Sequence, residues 1–152
     1  KQINIIKDYA SNLPPLHIDR EQIKQVFLNI LLNAIEATTE NGKITVKTRS
    51  FMKPGGELYL QIEFNDTGCG IPGEYIEDIF NPFFTTKSTG SGLGLSISNQ
   101  IIQDHRGYID VESQVGKGSS FFINLPVNKD YPKRRKSDLE NNQNIPNILE
   151  GR

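Results

Sequence analysis

Residues 26–37 read Val-Phe-Leu-Asn-Ile-Leu-Leu-Asn-Ala-Ile-Glu-Ala, and this stretch does most to decide the fold. Its polar members are Asn29, Asn33 and Glu36, at spacings that place them above one another on one face of a helix. A buried amide costs free energy unless it is hydrogen-bonded. The stripe therefore predicts either a polar ligand in front of the helix or a pair of core amides bonded to nearby backbone.

The flanking sequence predicts where this helix begins and ends. Asp19 is a good N-cap, with Gln22 at the third helical position, and Asn41-Gly42 is typical of a helix C-terminus. We therefore expect a helix over residues 20–39. A proline-containing loop and a short strand within residues 1–8 should precede it.

Alternation of apolar and polar residues predicts two β-hairpins. The first joins residues 44–49 to residues 58–65, and the second joins 108–112 to 119–126. A short helix near residues 74–80 and a longer one over residues 93–105 lie between the hairpins. The longer helix should pack through an apolar stripe of Leu93, Ile97 and Ile101.

Directly after the predicted strand of residues 58–65 comes Asp66-Thr67-Gly68-Cys69-Gly70. Glycine lets the backbone turn sharply and approach a flat ligand closely. A carboxylate at this strand end can accept a hydrogen bond from the exocyclic amine of adenine, whereas guanine presents an acceptor there. An Asx-turn at a strand end is the alternative that this motif alone leaves open.

A third motif, Gly90-Ser91-Gly92-Leu93-Gly94, opens the last predicted helix. Exposed N–H groups and the positive end of a helix dipole favour an anion such as phosphate. The spacing excludes both the P-loop and the Gly-x-Gly-x-x-Gly pattern, and a mobile linker is the alternative. Before it, residues 79–87 carry three phenylalanines that should anchor a loop, and Lys87 is placed to pair with a phosphate or simply to be exposed.

Composition sets the remaining limits. The 152 residues suit one domain, and 17 Lys and Arg against 18 Asp and Glu give a net charge of −1, which provides no electrostatic case for nucleic acid or an acidic membrane surface. The single cysteine, Cys69, excludes an internal disulfide and fits a reducing compartment. No apolar run approaches the roughly 18 residues of a membrane span. Residues 128–152 are polar and basic and are expected to be a disordered tail after a domain of residues 1–127.

Taken in this order, the motifs resemble the N, G1, F and G2 boxes of sensor histidine kinases. The sequence Phe-Asn-Pro-Phe-Phe-Thr-Thr-Lys of residues 80–87 is similar to that of the nitrogen-regulatory and PAS-linked type. The resemblance covers residues 3–127. It implies the ATP-binding catalytic domain of the GHKL or Bergerat ATPase superfamily. The implied fold is a two-layer α+β sandwich, in which three helices cover one face of a mixed sheet of about five strands and a mobile loop closes over ATP.

The resemblance also implies roles for individual residues. Asn33 would ligate Mg²⁺, and Asn29 and Lys87 would act with it in catalysis. Asp66 would bind the adenine amine. The residues implied in ATP binding are Asn33, Glu36, Ala37, Asp66, Gly68, Gly70, Ile71, Phe83, Thr86, Lys87, Gly90, Ser91, Gly92, Leu93, Gly94, Leu95 and Ser119.

One position separates histidine kinases from other members of this superfamily. Gyrase, the Hsp90 chaperones and the mismatch-repair ATPases have a glutamate four residues before the metal-binding asparagine, and it acts as the general base on water. This chain has Asn29 there, which cannot accept a proton at neutral pH. A GHKL-type serine kinase or ATPase is therefore disfavoured, and a nucleotide-binding module without transfer activity is the other alternative.

The resemblance further implies partners outside this sequence. The acceptor histidine of the family lies in an upstream dimerisation domain, and neither His17 nor His105 has its motif, so both are interpreted as structural. The full-length protein is expected to be a cytoplasmic homodimer, with a membrane anchor elsewhere as an alternative. It is expected to signal to the receiver domain of a response regulator.

Overall fold

The computed structural model describes residues 1–127, so the predicted tail lies outside the described residues. The fold of the described residues consists of five strands, two α-helices and one 3-10 turn. In chain order these are β1 (Asn4–Tyr9), α1 (Arg20–Ala37), β2 (Lys43–Met52), β3 (Leu58–Asp66), the 3-10 turn (Gly73–Tyr75), α2 (Gly94–Asp104), β4 (Tyr108–Gln114) and β5 (Gly118–Pro126).

The strands form one mixed sheet in the order β1-β2-β3-β5-β4. β1 runs parallel to β2, and every other neighbouring pair is antiparallel. Both predicted hairpins are confirmed, as β2–β3 and β4–β5. The register places β3 between β2 and β5 at the centre of the sheet, so that Asp66 lies opposite Ser119.

Both helices cover the same face of the sheet, which confirms the two-layer α+β architecture. Alternate residues of β3 and β5 point toward the helices, as the period of two requires. They meet one apolar side of each helix. The buried cluster comprises Ile23, Val26, Ile30, Leu60, Ile62, Phe64, Ile79, Ile101, Ile102, Phe121, Ile123 and Leu125.

Helix α1 begins where the sequence predicts and ends two residues earlier. Asp19 accepts a hydrogen bond from the backbone N–H of Gln22 at 3.1 Å. At the other end the backbone of Thr38 is extended, and its hydroxyl donates to the Ala34 carbonyl at 2.6 Å. The predicted Asn41-Gly42 signal instead forms the turn into β2, with Asn41 at a positive φ of 62°.

The third helix expected near residues 74–80 is a single 3-10 turn followed by irregular turns. Ile79 is the fully buried apolar side chain of this segment. A segment this short has too little buried surface to offset the cost of starting an α-helix.

The packing stripe of α2 differs from the prediction. Ile97 is 39% exposed, and the buried line consists of Ser98, Ile101, Ile102 and His105. These positions have the spacing of one helix face. Ser98 is completely buried and its hydroxyl donates to the Gly94 carbonyl at 2.8 Å, so a polar residue lies on the packing face that an apolar stripe does not register.

His105 links the end of α2 to the start of α1. Its Nε2 accepts a hydrogen bond from the backbone N–H of Asp19 at 3.0 Å. Its Nδ1 therefore carries the proton and donates to the Ile101 carbonyl at 2.7 Å. Both ring nitrogens are bonded within the fold, Nε2 to the start of α1 and Nδ1 to α2 itself, which supports the structural interpretation of this histidine.

Candidate functional site

One cavity of about 750 Å³ lies beside α1, at the end of the sheet where β3 stops and β5 starts. We call the side formed by residues 66–72 and the start of β5 the floor. We call the side formed by residues 73–93 the roof. Helix α1 contributes the wall between them through its polar stripe. Segments far apart in the chain meet here, because the β3–β5 pairing and the α1–α2 packing bring them together.

Asp66 is the central polar group of the floor. It is only 3% exposed, and its Oδ1 accepts a hydrogen bond from the backbone N–H of Gly68 at 2.8 Å. Burial raises the pKa of this carboxyl above its ordinary value, while hydrogen bonds from the backbone of Gly68 and Ser119 pull the pKa the other way. A buried carboxylate beside a cavity has acceptor capacity left for a ligand.

The turn after Asp66 fits only because it contains glycines. A Cβ on Gly68 would lie 2.5 Å from the Ala37 carbonyl oxygen, and the next N–H donates to that same oxygen at 3.1 Å. Gly70 has a φ of 74°, and its Cβ would lie 2.2 Å from the Gln114 carbonyl oxygen. The floor turn is thereby packed between the end of α1 and the β4–β5 turn.

Serine hydroxyls support the floor from β4 and β5. Ser113 accepts from the backbone N–H of Ile71 at 2.7 Å and lies within hydrogen-bonding distance of Ser119. Ser113 also donates to the Gly118 carbonyl at 3.0 Å. Ser113 is not among the residues selected from the sequence. It does not line the cavity itself, and it acts by holding residues that do.

On the wall, Asn29 is bonded to α2. Its amide nitrogen donates to the Gly94 carbonyl and to the Ser98 hydroxyl, each at 3.2 Å. This is the contact to nearby backbone that the alternative interpretation of the stripe predicted. Asn29 also lines the cavity, so one side chain joins the two helices and borders the space for a ligand.

The next two residues of the stripe have a different partner. The ammonium of Lys87, from the roof, donates to Asn33 Oδ1 at 3.1 Å and forms an ion pair with the Glu36 carboxylate. Two oxygen ligands from α1 thus converge on one cation. Carbonyl and carboxylate oxygens are also the ligands that Mg²⁺ prefers.

The roof is built from local turns. Phe83 has a positive φ of 67°, which is strained for an aromatic residue, and its N–H donates to the Gly92 carbonyl at 3.0 Å. A Cβ on Gly92 would lie 2.4 Å from the Phe83 carbonyl carbon. α2 follows, and no side chain caps its first turn, so that turn is suited to an anion.

Most of the residues selected from the sequence border this one cavity. They are Asn29, Asn33, Glu36, Ala37, Asp66, Gly70, Ile71, Thr86, Lys87, Gly90, Ser91, Gly92, Gly94, Leu95 and Ser119. Three selected residues lie outside its lining: Gly68, Phe83 and Leu93. Gly68 packs against α1, Phe83 is 74% exposed, and Leu93 is the N-cap residue of α2.

The structure adds cavity residues that the sequence did not indicate. They are Leu32, Cys69, Pro72, Tyr75, Ile79, Phe84, Thr85, Ser88, Thr89 and Phe121. The apolar ones form a surface suited to a flat ring, with Tyr75 and Phe84 in contact at 5.5 Å between ring centroids. Cys69 and Thr85 flank motif residues, which was an available signal. Phe121 is brought in only by the pairing of β5 with β3.

The described residues also bear on metal binding and on membrane spanning. Within residues 1–127, no three His, Cys, Asp or Glu side chains cluster in a way that could hold a metal ion. A divalent cation at Asn33 would therefore depend on oxygen atoms of a ligand for much of its coordination. Neither helix in the same residues has the length and hydropathy that a membrane crossing requires.

The chain is similar to known proteins over most of its length. The family model of the histidine kinase-, DNA gyrase B- and HSP90-like ATPases matches residues 18–129. The histidine-protein kinase AtoS of Escherichia coli is 42% identical over 127 residues, which are 84% of this chain and 20% of AtoS. The chain thus spans about a fifth of the length of that relative.

Solved structures agree in fold and extent. The nucleotide-free catalytic domain of the histidine kinase ThkA matches with a TM-score of 0.70 and 38% identity, over 82% of this chain and 80% of that one. ThkA in complex with the response regulator protein TrrA matches with a TM-score of 0.67 and 36% identity, over 83% and 34% of the two chains. The chain therefore belongs to the histidine kinase-, DNA gyrase B- and HSP90-like ATPases, as a catalytic domain of the sensor histidine kinase type.

Proposed function

We propose that this chain binds ATP with Mg²⁺ and transfers the γ-phosphoryl group to a histidine of a dimerisation domain, for two-component signalling. The observation that carries the proposal is the convergence of three separate motifs on one cavity. The amide stripe of α1, the buried Asp66 and the glycine loop before α2 all border it. The domain that does this is proposed to comprise residues 1–127.

The floor is suited to adenine. The Asp66 carboxylate acts as an acceptor, which pairs with the exocyclic amine of adenine. Ile71 and Phe121 of the floor, with Ile79 of the roof, supply apolar contacts for the ring. The same carboxylate opposes the carbonyl that guanine presents at the equivalent position, so the floor should discriminate against GTP.

The other end of the cavity is suited to phosphates. The first turn of α2 and the glycine loop offer backbone N–H groups, and Lys87 offers a positive charge. Asn33 and Glu36 already hold one cation between them, which supports Asn33 as the protein ligand of the metal. When bound, Mg²⁺ would neutralise charge on the phosphate oxygens.

The wall explains why such a site would hold ATP without hydrolysing it efficiently. Asn29 faces the Gly94 carbonyl and the Ser98 hydroxyl with its N–H donors. A carboxylate here would place an oxygen against that carbonyl, so a general base is incompatible with this α1–α2 contact. An incoming histidine must then supply the nucleophile, and positioning supplies most of the catalysis.

The partners follow from that requirement. We propose that the acceptor histidine belongs to a dimerisation domain of the same full-length protein, which would act in the cytoplasm as a homodimer. The phosphoryl group would then pass to the receiver domain of a response regulator. The complex of ThkA with TrrA is the support for that last step among related proteins.

Cys69 offers a direct test of nucleotide binding. It is the only cysteine of the chain, it is exposed, and it lines the cavity. Saturating ATP with Mg²⁺ should slow its reaction with a maleimide several-fold, and GTP at the same concentration should protect it much less. Equal protection by both nucleotides would contradict the adenine assignment, and protection by neither would contradict the proposal.

Transfer is tested by mixing the chain with a histidine-bearing dimerisation domain and γ-labelled ATP. Acid-labile phosphate on that domain is the expected result. Steady release of phosphate by the chain alone would instead indicate an ATPase, and binding without either reaction would indicate a nucleotide-binding module. Asn33→Ala tests the metal site in the same assay, because this variant should bind ATP with an affinity that no longer depends on Mg²⁺.

A further inference from the structure

Lys87 reaches across the cavity to α1, although it belongs to an exposed loop. Its ammonium contacts both Asn33 Oδ1 and the Glu36 carboxylate, at side-chain exposures of 43% for Lys87 and 56% for Glu36. The two acceptors lie three residues apart on one face of α1. The contact is made entirely by side chains of the protein, so by itself it ties the roof to the wall.

The contact conflicts with the proposed role of Asn33. An amide oxygen that accepts from a lysine ammonium at 3.1 Å cannot at the same time bind a metal ion from the same side. Two cations at this spacing would also repel each other. Lys87 and the metal are therefore alternatives at Asn33.

We infer that Lys87 is a placeholder for the metal: in the nucleotide-free protein Glu36 positions the Lys87 ammonium on Asn33, and Mg-ATP must displace it. This inference rests on the proposed function. Glu36 is then a positioning residue that holds the roof to the wall in the absence of ligand. After displacement, Lys87 is free to pair with the phosphates, so one lysine has a different partner in each state.

The strength of the contact suits that role. An ion pair between partly exposed side chains changes an equilibrium only about two- to five-fold. A binding nucleotide with its metal overcomes that easily. By linkage, a contact present only in the ligand-free state weakens ATP binding by the same factor.

A double-mutant cycle on ATP affinity measures this factor. Glu36→Gln should tighten Mg-ATP binding about two- to five-fold by calorimetry, because the competing contact is lost. In a Lys87→Met background the same substitution should have much less effect, since no ammonium remains to be held. Glu21→Gln is the matched control, because Glu21 forms an exposed ion pair with Lys24 on the same helix, away from the cavity.

Two results of the cycle would overturn the inference. Weaker ATP binding by Glu36→Gln would make Glu36 a ligand of the nucleotide or its metal. An equal change in both backgrounds would show that Glu36 acts independently of Lys87.

Limited proteolysis tests the contact without any nucleotide. Trypsin cleaves after lysine, so the bond after Lys87 should be cut about two- to five-fold faster in Glu36→Gln than in wild type or Glu21→Gln. Cleavage after Lys117, an exposed lysine in the β4–β5 turn, provides the internal reference by mass spectrometry. Unchanged cleavage after Lys87 would contradict the inference.

The two measurements separate failure of the inference from failure of the proposed function. If wild type binds ATP and Glu36→Gln behaves like Glu21→Gln, the placeholder role is wrong and the proposed function stands. If wild type binds no ATP, the proposed function is wrong. In that case the proteolysis result still decides whether Glu36 holds Lys87, and the displacement by Mg-ATP falls with the function.

Discussion

Asp66 on the floor of the cavity and Lys87 on its roof are both charged, but their surroundings differ. Asp66 ends a central strand and is 3% exposed, whereas the Lys87 side chain is 43% exposed and its loop has no regular structure. The floor is fixed by strand register and by backbone contacts too close for a Cβ. The roof is anchored in the core by Ile79, but around Lys87 it is held only by local turns and one exposed ion pair. Floor substitutions should therefore change stability or abolish binding, and roof substitutions should change affinity alone.

The largest expected effect is on the floor, in Gly70→Ala. The new Cβ would be strained at a φ of 74° and would lie 2.2 Å from the Gln114 carbonyl oxygen. We expect a loss of about 3 kcal/mol in unfolding free energy, measured by urea denaturation. Gly116→Ala is the control, because Gly116 has a φ of 80° but nothing within 4 Å, so strain alone should cost about 1 kcal/mol. Equal losses would mean that the close packing of the floor contributes nothing.

Asp66→Asn should weaken ATP binding strongly while sparing the fold. The amide oxygen can keep the hydrogen bond from Gly68, which leaves the amide N–H₂ to face the adenine amine, donor against donor. ATP affinity should fall about ten- to hundred-fold by calorimetry. Asp110→Asn, an exposed carboxyl on the same sheet, should change nothing. Retained affinity in Asp66→Asn would refute the adenine assignment.

The same variant has a pH signature. Burial holds the pKa of Asp66 above its unfolded value, so the ionised carboxylate costs stability at neutral pH, and this cost disappears as pH falls below the unfolded pKa. Asp66→Asn should therefore be more stable than wild type at pH 7. Its advantage should shrink as pH falls through the raised pKa. If the stability advantage of Asp66→Asn grew on acidification, folding would lower the pKa of Asp66 rather than raise it.

Gly92→Ala tests the roof. Its φ is 71°, and the Cβ would lie 2.4 Å from the Phe83 carbonyl carbon. Because the roof can shift as a loop, we expect about a ten-fold loss of ATP affinity with an unchanged Tm. Gly73→Ala, elsewhere in the roof with nothing within 4 Å, should leave both unchanged. A large fall in Tm for Gly92→Ala would remove the distinction between the two sides of the cavity.

The smallest effect is expected at Phe83. Its side chain is 74% exposed and outside the cavity lining, so Phe83→Asn should change ATP affinity less than about two-fold. Asparagine tolerates the positive φ of this position. Phe84→Ala should weaken binding more, because Phe84 lines the cavity and packs on Tyr75. A larger loss of ATP affinity in Phe83→Asn than in Phe84→Ala would show that the ring of Phe83 contacts the nucleotide.

Much of the fold could be predicted because its signals are local. The alternation in residues 58–65 depends only on which side chains face one side of a strand, and the structure confirms the strand. Burial does not alternate along it, because Tyr59 and Gln61 on the opposite face of this central strand are buried as well. The cap at Asp19 depends on residues within one turn and is confirmed as well. The prediction of a short α-helix near residues 74–80 was wrong, since the segment forms only a 3-10 turn. Nothing in its sequence showed how little of it would be buried.

The site was predicted as a set of residue types, while their ligand roles remain predictions. The sequence could select Asn29 and Asn33 as a pair, but it could not distinguish them. Asn29 is bonded to α2 because the packing of α1 on α2 places it beside the Gly94 carbonyl and the Ser98 hydroxyl. Asn33 is bonded to Lys87 because the roof folds back over α1.

By itself the sequence determined the strands, the main helices and the chemistry of the motifs, since periodicity and capping act between residues close in the chain. Only the tertiary structure decided which of those residues share a cavity. Through the pairing of β4 and β5 with the rest of the sheet it added Phe121 to the lining and Ser113 as a support behind it. It also decided that Lys87 meets Asn33 and Glu36. Such contacts join residues more than 50 positions apart, and register and helix packing fix them rather than any local pattern.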